Sequence, residues 1–586
     1  MHPFAIDFRS LSLFRICLGS VAAYYLVTHV GLFAEFHSAQ KAATSQTVQS
    51  YFGGDWRSSL NWLSESSAYQ IALLVAGFAA AGSLIVGWHA TFATFGCWLL
   101  VISLNNKVPY IAGGGDALLC VLLFWSLFLP LGQRWSLDAR QGRSSDSLAA
   151  ETLVSAATAA ILLQMAMMYL FTGISKWNEY WIDGTALDVI FSSDSFVRPF
   201  GKFLKEFPLV TSVLTRTTIW AELLLPLAMF SPWKTTACRT VAVIVFMSFH
   251  VGIELSLTVP IFSFVSCAGL LLFVPSRWWD FFPLGNLEKL LDAPRGAPQL
   301  ASQQSRQLRR QRERTGSRKA GNRIESTLPA ASNRWLQRLL ALAVVYVFLS
   351  NLLLMFGSNS TIQRLHAFRQ PGFLLGLNQH WNMFNYPPAL CTDVACVGKL
   401  RDGRHVDLLR AGQVVDDRKQ PPTDPLVGCS TRMLNGLVLL AKERNQVFRE
   451  GFTRYLCQRW NETAGDADQQ IVECFLTYYP RQHHPLAKAV ISQDLFHLDL
   501  LSQGALVAGK REGPWVLYHE NGQKMSAGNY QRGKAEGKWT FWDTAGKKAA
   551  EGIMRQGKPA GEWKHYEGGQ LKIVNHSLPA DPVEPP

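Results

Sequence analysis

Long apolar runs broken by short polar stretches fill the first 280 residues. An apolar helix of about 20 residues crosses a bilayer. The pattern predicts nine spans, at residues 11–33, 69–88, 90–107, 117–131, 152–175, 218–233, 240–257, 258–275 and 335–356. The first is expected to stay in place: it lacks a small-residue cleavage site, and further spans follow it. After residue 356 the pattern changes to a mixed, turn-rich globular segment, and after residue 500 to short strand-like runs between glycines. The predicted class is a multi-pass α-helical membrane bundle with a mixed α/β or β-rich outer domain and a C-terminal β-hairpin repeat. The predicted layout is an eight-span bundle over 1–290, a linker over 291–334, the ninth span over 335–356, an outer domain over 357–500, repeats over 505–575 and a tail over 576–586.

Charge sets the orientation. Arg134, Arg140 and Arg143 follow the fourth span, Lys234 and Arg239 the sixth, and a basic block from Arg295 to Arg338 the eighth. With an odd span count all three loops share one side, the cytoplasm by the positive-inside rule. The N-terminus then starts inside. The loops 34–68 and 176–217 lie outside with everything after Met355, in the plasma (inner) membrane topology expected here.

Composition narrows the class further. The chain has 586 residues, 48% hydrophobic and 17% charged, against about 25% charged in soluble domains. This excludes a disordered chain, a collagen-like fibre and a small disulfide scaffold, and argues against one large soluble enzyme. The net charge of +13 is mostly local: residues 291–340 hold eleven Lys/Arg and three Asp/Glu. Such a block can bind nucleic acid, but between apolar spans it reads as a cytoplasmic linker. Membrane lipid is the expected partner, and nucleic acid is not.

Five of the ten Cys sit in or beside spans, and five lie outside: Cys391, Cys396, Cys429, Cys457 and Cys474. In an oxidising compartment five thiols predict up to two disulfides and one leftover. Cys391 and Cys396 are expected to pair, or each to pair with one of the other three. Their x4 spacing without neighbouring histidines is a poor zinc pattern, so no metal is expected.

The C-terminus repeats with a period of 24. Gly509-Lys-Arg-Glu-Gly513 recurs at Gly533–Gly537 and Gly557–Gly561, followed two residues on by Trp515, Trp539 and Trp563, and three further on by Tyr518, Trp542 and Tyr566. Asn521-Gly522 suits a two-residue hairpin turn. Each unit is expected to be a hairpin burying its aromatics against the next. The segment resembles MORN-type repeats in the form seen in YwqK-like proteins. That resemblance implies a surface that binds a protein substrate or partner, with no chemistry of its own.

Three sets of residues carry candidate chemistry. Lys176 lies where the fifth span leaves the bilayer, in Gly173-Ile-Ser-Lys176-Trp177 followed by Trp181-Ile-Asp183-Gly184. It reads either as a snorkelling anchor among interfacial aromatics or as a partly desolvated base. His250 and Glu254 share one face of the seventh span, and Glu222 lies in the sixth. Intramembrane ionisable groups cost roughly 2.5–3.5 kcal/mol each, so they face a bundle interior or a cavity. They are either a structural lock between helices or part of a site. The third set is Asn105-Asn106-Lys107 at the outer end of span three, with Asp116 opening span four. No Walker loop, nucleophile elbow, zinc-protease motif or dinucleotide fingerprint is present.

Taken in order, these motifs resemble the HTTM domain of the vitamin K-dependent γ-carboxylase family over residues 8–280. The resemblance rests on Asn105-Asn106 with Trp135-Ser136-x-Asp138, on Gly173-Ile-Ser-Lys176 with Trp181-Ile-Asp183-Gly184, on Phe249-His250 with Phe262-Ser263, and on Gln379-His-Trp-Asn-Met-Phe384. It implies an enzyme whose Lys176 deprotonates a reduced vitamin K-type quinone. Oxygen then yields a strong alkoxide base, which takes the γ-proton of a protein Glu, and CO2 adds to the carbanion while the epoxide leaves. It makes Lys176 and His250 catalytic, and Asn105, Asn106, Glu222 and Glu254 cofactor-binding. The family carries a His after the Asn pair; this chain has Lys107, which puts glutamate carboxylation in doubt more than the fold. The alternative from another class is a non-catalytic membrane scaffold whose repeats bind an envelope partner. A third reading, a transporter, would want inverted halves, and spans 1–4 and 5–8 show no such symmetry. An enzyme requires Lys176, His250 and Glu222 to converge on one cavity; a scaffold does not.

Overall fold

A computed structural model describes residues 2–37, 44–109, 111–142, 151–192, 197–281, 334–385, 390–416, 436–437, 440, 447–482, 493–499, 502–507, 510–519, 523–567 and 570–576. The 291–333 part of the linker, Cys429, the Asn521-Gly522 turn and the tail from 577 lie outside the described residues.

Each predicted apolar stretch carries a helix: α1 Phe8–Val30, α2 Ser67–Val86, α3 Ala90–Lys107, α4 Gly114–Ser126, α5 Ala156–Ser175, α6 Pro208–Ala228, α7 Thr235–Ser256, α8 Phe262–Leu270 and α9 Arg334–Phe356. Five of them, α1, α2, α5, α7 and α9, are long and apolar enough to cross a membrane, while α4 and the stretch 262–273 are shorter apolar helices. The largest shift is in α6, which starts ten residues before the predicted span. Pro208 occupies its first turn, where the missing N–H costs nothing.

Two buried arginines hold one end of the bundle together. Arg15 of α1 donates to the carbonyls of Leu84 and Ile85 at 3.0 Å each and of Trp135 at 2.5 Å. Arg239 of α7 donates to Ala5 O at 2.8 Å, Met229 O at 3.2 Å and Pro3 O. A guanidinium has five N–H donors and no acceptor, so carbonyls left unpaired at helix ends suit it. Arg239 was expected in a loop. It sits instead in the first turns of α7, fully buried.

Two compact units emerge, and the first runs past α9 to Thr392. It also takes in Gly428–Lys442 and Arg481–Val490, and the second comprises Asp393–Val427, Glu443–Pro480 and Ile491–Pro586. Gln379 and Trp381 belong to the helical unit: Gln379 Nε2 donates to Gln164 Oε1 of α5 at 2.9 Å, and Trp381 Nε1 donates to Gln379 Oε1 at 2.7 Å.

The second unit contains two sheets. One is five-stranded, in the order β3-β2-β1-β4-β5, from β1 Leu390–Leu400, β2 His405–Asp407, β3 Gln413–Val414, β4 Ile471–Gln482 and β5 Gln493–Asp499. A helix, α10 Val447–Thr463, precedes β4. Cys391 and Cys396 both lie in β1, which excludes the pairing of these two expected from their spacing. Five residues of strand separate their backbones by roughly 16 Å, beyond the reach of a disulfide.

The other sheet is a seven-stranded antiparallel meander over residues 502–576: β6 Ser502–Val507, β7 Lys510–Tyr518, β8 Lys524–Gln531, β9 Lys534–Trp542, β10 Lys548–Arg555, β11 Lys558–Glu567 and β12 Gln570–His576, each paired with the next. The 24-residue period is thus a hairpin period. Trp515, Trp539 and Trp563 are all buried. The rings of Trp539 and Trp563 lie across Gly528 and Gly552, where an added Cβ would come within 2.3 Å of the ring. Only glycine leaves the strand flat enough for the indole to cover it, which explains a second glycine recurring at the same period.

Candidate functional site

The last turns of α5 carry Tyr169, Thr172 and Lys176, spaced by three and four, so they share one helix face. Opposite lies α6, brought close by Gly173: a Cβ there would stand 2.9 Å from Glu222 Cβ and 3.2 Å from the Glu222 carbonyl carbon. This approach lets Lys176 reach Glu222. The ammonium donates to both carboxylate oxygens, at 2.7 and 2.8 Å, and both side chains are about 4% exposed. Trp181 covers the other side of the ammonium, its ring centroid 5.0 Å away, a cation–π distance.

His250 of α7 is fully buried, and its Nε2 lies 2.7 Å from the Tyr169 hydroxyl. The Tyr169 ring stacks on Phe246 at 3.8 Å. His250 Nδ1 is buried and makes no hydrogen bond. These groups line one cavity of about 540 Å³ with Met168, Thr172, Phe249, Phe262 and Phe384. Its wall is almost wholly apolar, and its few polar atoms include those of Lys176, Glu222, Tyr169 and His250. The motif at 379–384 closes it. Met383 and Phe384 line the cavity, and Trp181 Nε1 donates to the carbonyls of Phe384 and Asn385 at 2.9 and 3.1 Å. Asn178 donates to Asn385 O at 2.7 Å. A segment 200 residues downstream is thereby clamped over the mouth of α5.

The structure brings Lys176, Glu222 and His250 together as a site requires. It does not bring the other three candidates to them. Glu254 is paired with Arg198 at 2.8 Å and does not line the cavity. Asn105 accepts from the Tyr25 hydroxyl at 2.8 Å. Asn106 accepts from Arg57 at 3.1 Å and donates to Ser58 O at 2.9 Å, bracing the C-terminal end of α3. Lys107 is buried beside Ser45 Oγ at 3.3 Å and Glu65 at 3.8 Å, also away from the cavity lining. Tyr169 was missed. Its spacing of seven from Lys176 was the available signal, but a tyrosine in an apolar run reads as core.

Chemically, the cluster is a paired acid and base in an apolar, aromatic pocket beside a hydrogen-bonded Tyr–His couple. Burial of this kind strengthens each electrostatic contact, because an apolar surround screens charge less than bulk water does. The geometry can orient a hydroxyl-bearing aromatic molecule and take up its proton at the Lys176–Glu222 pair.

A helical membrane protein with an enclosed ionisable cluster is the class this fold and site define. Residues 4–278 match the HTTM domain, so the chain carries that domain over most of its helical unit. No curated protein and no solved structure matches the chain.

Proposed function

We propose that the protein oxidises a reduced quinone in the cavity beside Lys176. The observation that carries this is the convergence of Lys176, Glu222, His250 and Tyr169 on one apolar cavity of about 540 Å³, within the roughly 300–1,000 Å³ of small-molecule sites. A flat bicyclic quinol of the vitamin K type suits the aromatic walls, and its hydroxyl suits the polar cluster. With its own extra proton passed to Glu222, the Lys176 amine accepts the hydroxyl proton, and the Tyr169–His250 couple orients the ring. Trp181 and Phe384 exclude water, which lets a strong base persist. In this reading oxygen takes up the electrons of the quinol, the group that receives CO2 is a protein glutamate or another substrate outside the cytoplasm, and the C-terminal repeats bind that protein or a further partner. Carboxylation is the less supported half, because Lys107 stands where the family has His. A scaffold has no need for four buried polar groups facing one cavity, since intramembrane charge is costly.

The test is direct. Purified protein supplied with a reduced naphthoquinone and oxygen is expected to consume the quinol, followed by its absorbance, faster than buffer and detergent alone. No consumption beyond that background sinks the reading.

The same proposal includes nine crossings with the repeats outside. Reporter fusions at Ser317 and Ser577 are expected to give opposite signals; equal signals mean the crossing count is wrong by one.

A further inference from the structure

Three thiols of the second unit meet in its core. Cys396 lies on β1, Cys474 on β4 and Cys457 on α10. The first two strands are neighbours in the five-stranded sheet. Cys396 Sγ and Cys474 Sγ are 3.3 Å apart, and Cys457 is in hydrogen-bond contact with Cys474 from the helix side. All three residues are fully buried.

Two other uses of such a cluster fail. Structural zinc takes four ligands, and among the described residues no group of three or more His, Cys, Asp or Glu side chains is placed to hold a metal ion. Plain core packing explains one buried Cys, since free Cys behaves as a small hydrophobe. It gives no reason for three from three elements to touch.

We propose that Cys474 forms a disulfide with Cys396, and that Cys457 is its alternative partner. The bond needs the two sulfurs to close from 3.3 Å to about 2.05 Å. Two thiols lose two electrons and two protons in forming it. An incoming disulfide, of a thiol–disulfide oxidoreductase or oxidised glutathione, takes them up and becomes two thiols. Because the sulfurs are sealed from solvent, the exchange happens while the unit is still folding. The link joins residues 78 apart in the chain, and a loop of that length strongly restricts the unfolded state. Cys457 stays reduced beside the bond. Its hydrogen bond to Cys474, with burial, pushes its thiol up from the ordinary range, so little thiolate is present to attack the bond in the folded protein.

The proposal is independent of the quinol reading and rests only on the second unit and its placement in an oxidising compartment. The experiment uses the full chain. Cells producing it are quenched in acid, and the protein is denatured, capped with N-ethylmaleimide without reductant, digested and analysed by mass spectrometry. The expected result is a linked Cys396–Cys474 peptide pair with capped Cys457. In Cys396→Ser the link is expected to move to Cys457–Cys474. In Cys457→Ser the Cys396–Cys474 link is expected unchanged. Three capped thiols in the parent protein, or a Cys396–Cys457 link, overturns the proposal. So does a Cys396→Ser protein that elutes as a single folded species with both remaining thiols capped.

Discussion

Lys176→Arg is expected to abolish quinol oxidation, by roughly 10²–10⁴-fold as for loss of a general base, while the protein folds and extracts normally. Guanidinium keeps a charge-assisted, bidentate hydrogen bond to Glu222 but does not give up its proton at working pH. Lys176→Ala tests something else. It strands the Glu222 carboxylate, about 4% exposed, and breaking a buried pair from one side costs about 3–5 kcal/mol. Loss of activity in the Ala variant alone therefore says little. The double variant Lys176→Met/Glu222→Leu removes both charges and is expected to recover most of that stability without recovering activity. Thermal unfolding in detergent reads the first effect, and quinol absorbance the second. An active Arg variant would falsify Lys176 as the proton acceptor and leave residue 176 a counter-ion of Glu222.

Gly173→Val is expected to damage the site without touching any polar group. A Cβ at residue 173 meets Glu222 Cβ at 2.9 Å and its carbonyl carbon at 3.2 Å, and neither is the free end of a flexible side chain. The strain must move α5 from α6, at about 1–3 kcal/mol for overpacking, and the branched side chain adds to it. Separation of the helices lengthens the contact between Lys176 and Glu222. Quinol oxidation is expected to fall steeply in Gly173→Val and less in Gly173→Ala. A valine variant with parent activity and parent unfolding temperature would show that the close approach of the two helices is not needed.

Much of this was legible along the chain because the signals are local. Each predicted apolar stretch carries a helix, and five of these are long and apolar enough to cross a membrane, where a backbone must satisfy its hydrogen bonds within itself. The 24-residue period became a meander of hairpins, since each Trp is covered by the adjacent strand. Lys176 and His250 stood out as ionisable groups in apolar surroundings. Tertiary structure decided which groups meet. Glu222 reaches Lys176 across 46 residues of chain, and no spacing rule links positions on separate helices. Tyr169 gained a role only when α7 brought His250 to its hydroxyl. Glu254, one turn from His250 in sequence, turned to Arg198 instead. Phe384 closes the cavity from a segment that looked like part of an outer domain, and the two glutamine amides that seat it against α5 pair over 215 residues. Cys396, read as a partner for Cys391, faces Cys474 because an extended strand holds residues five apart out of reach, while strands distant in sequence lie about 4.8 Å apart in a sheet. Sequence pattern fixes what each segment is. Which faces pack together depends on shape and burial summed over the whole unit, and that sum is set only when the chain is folded.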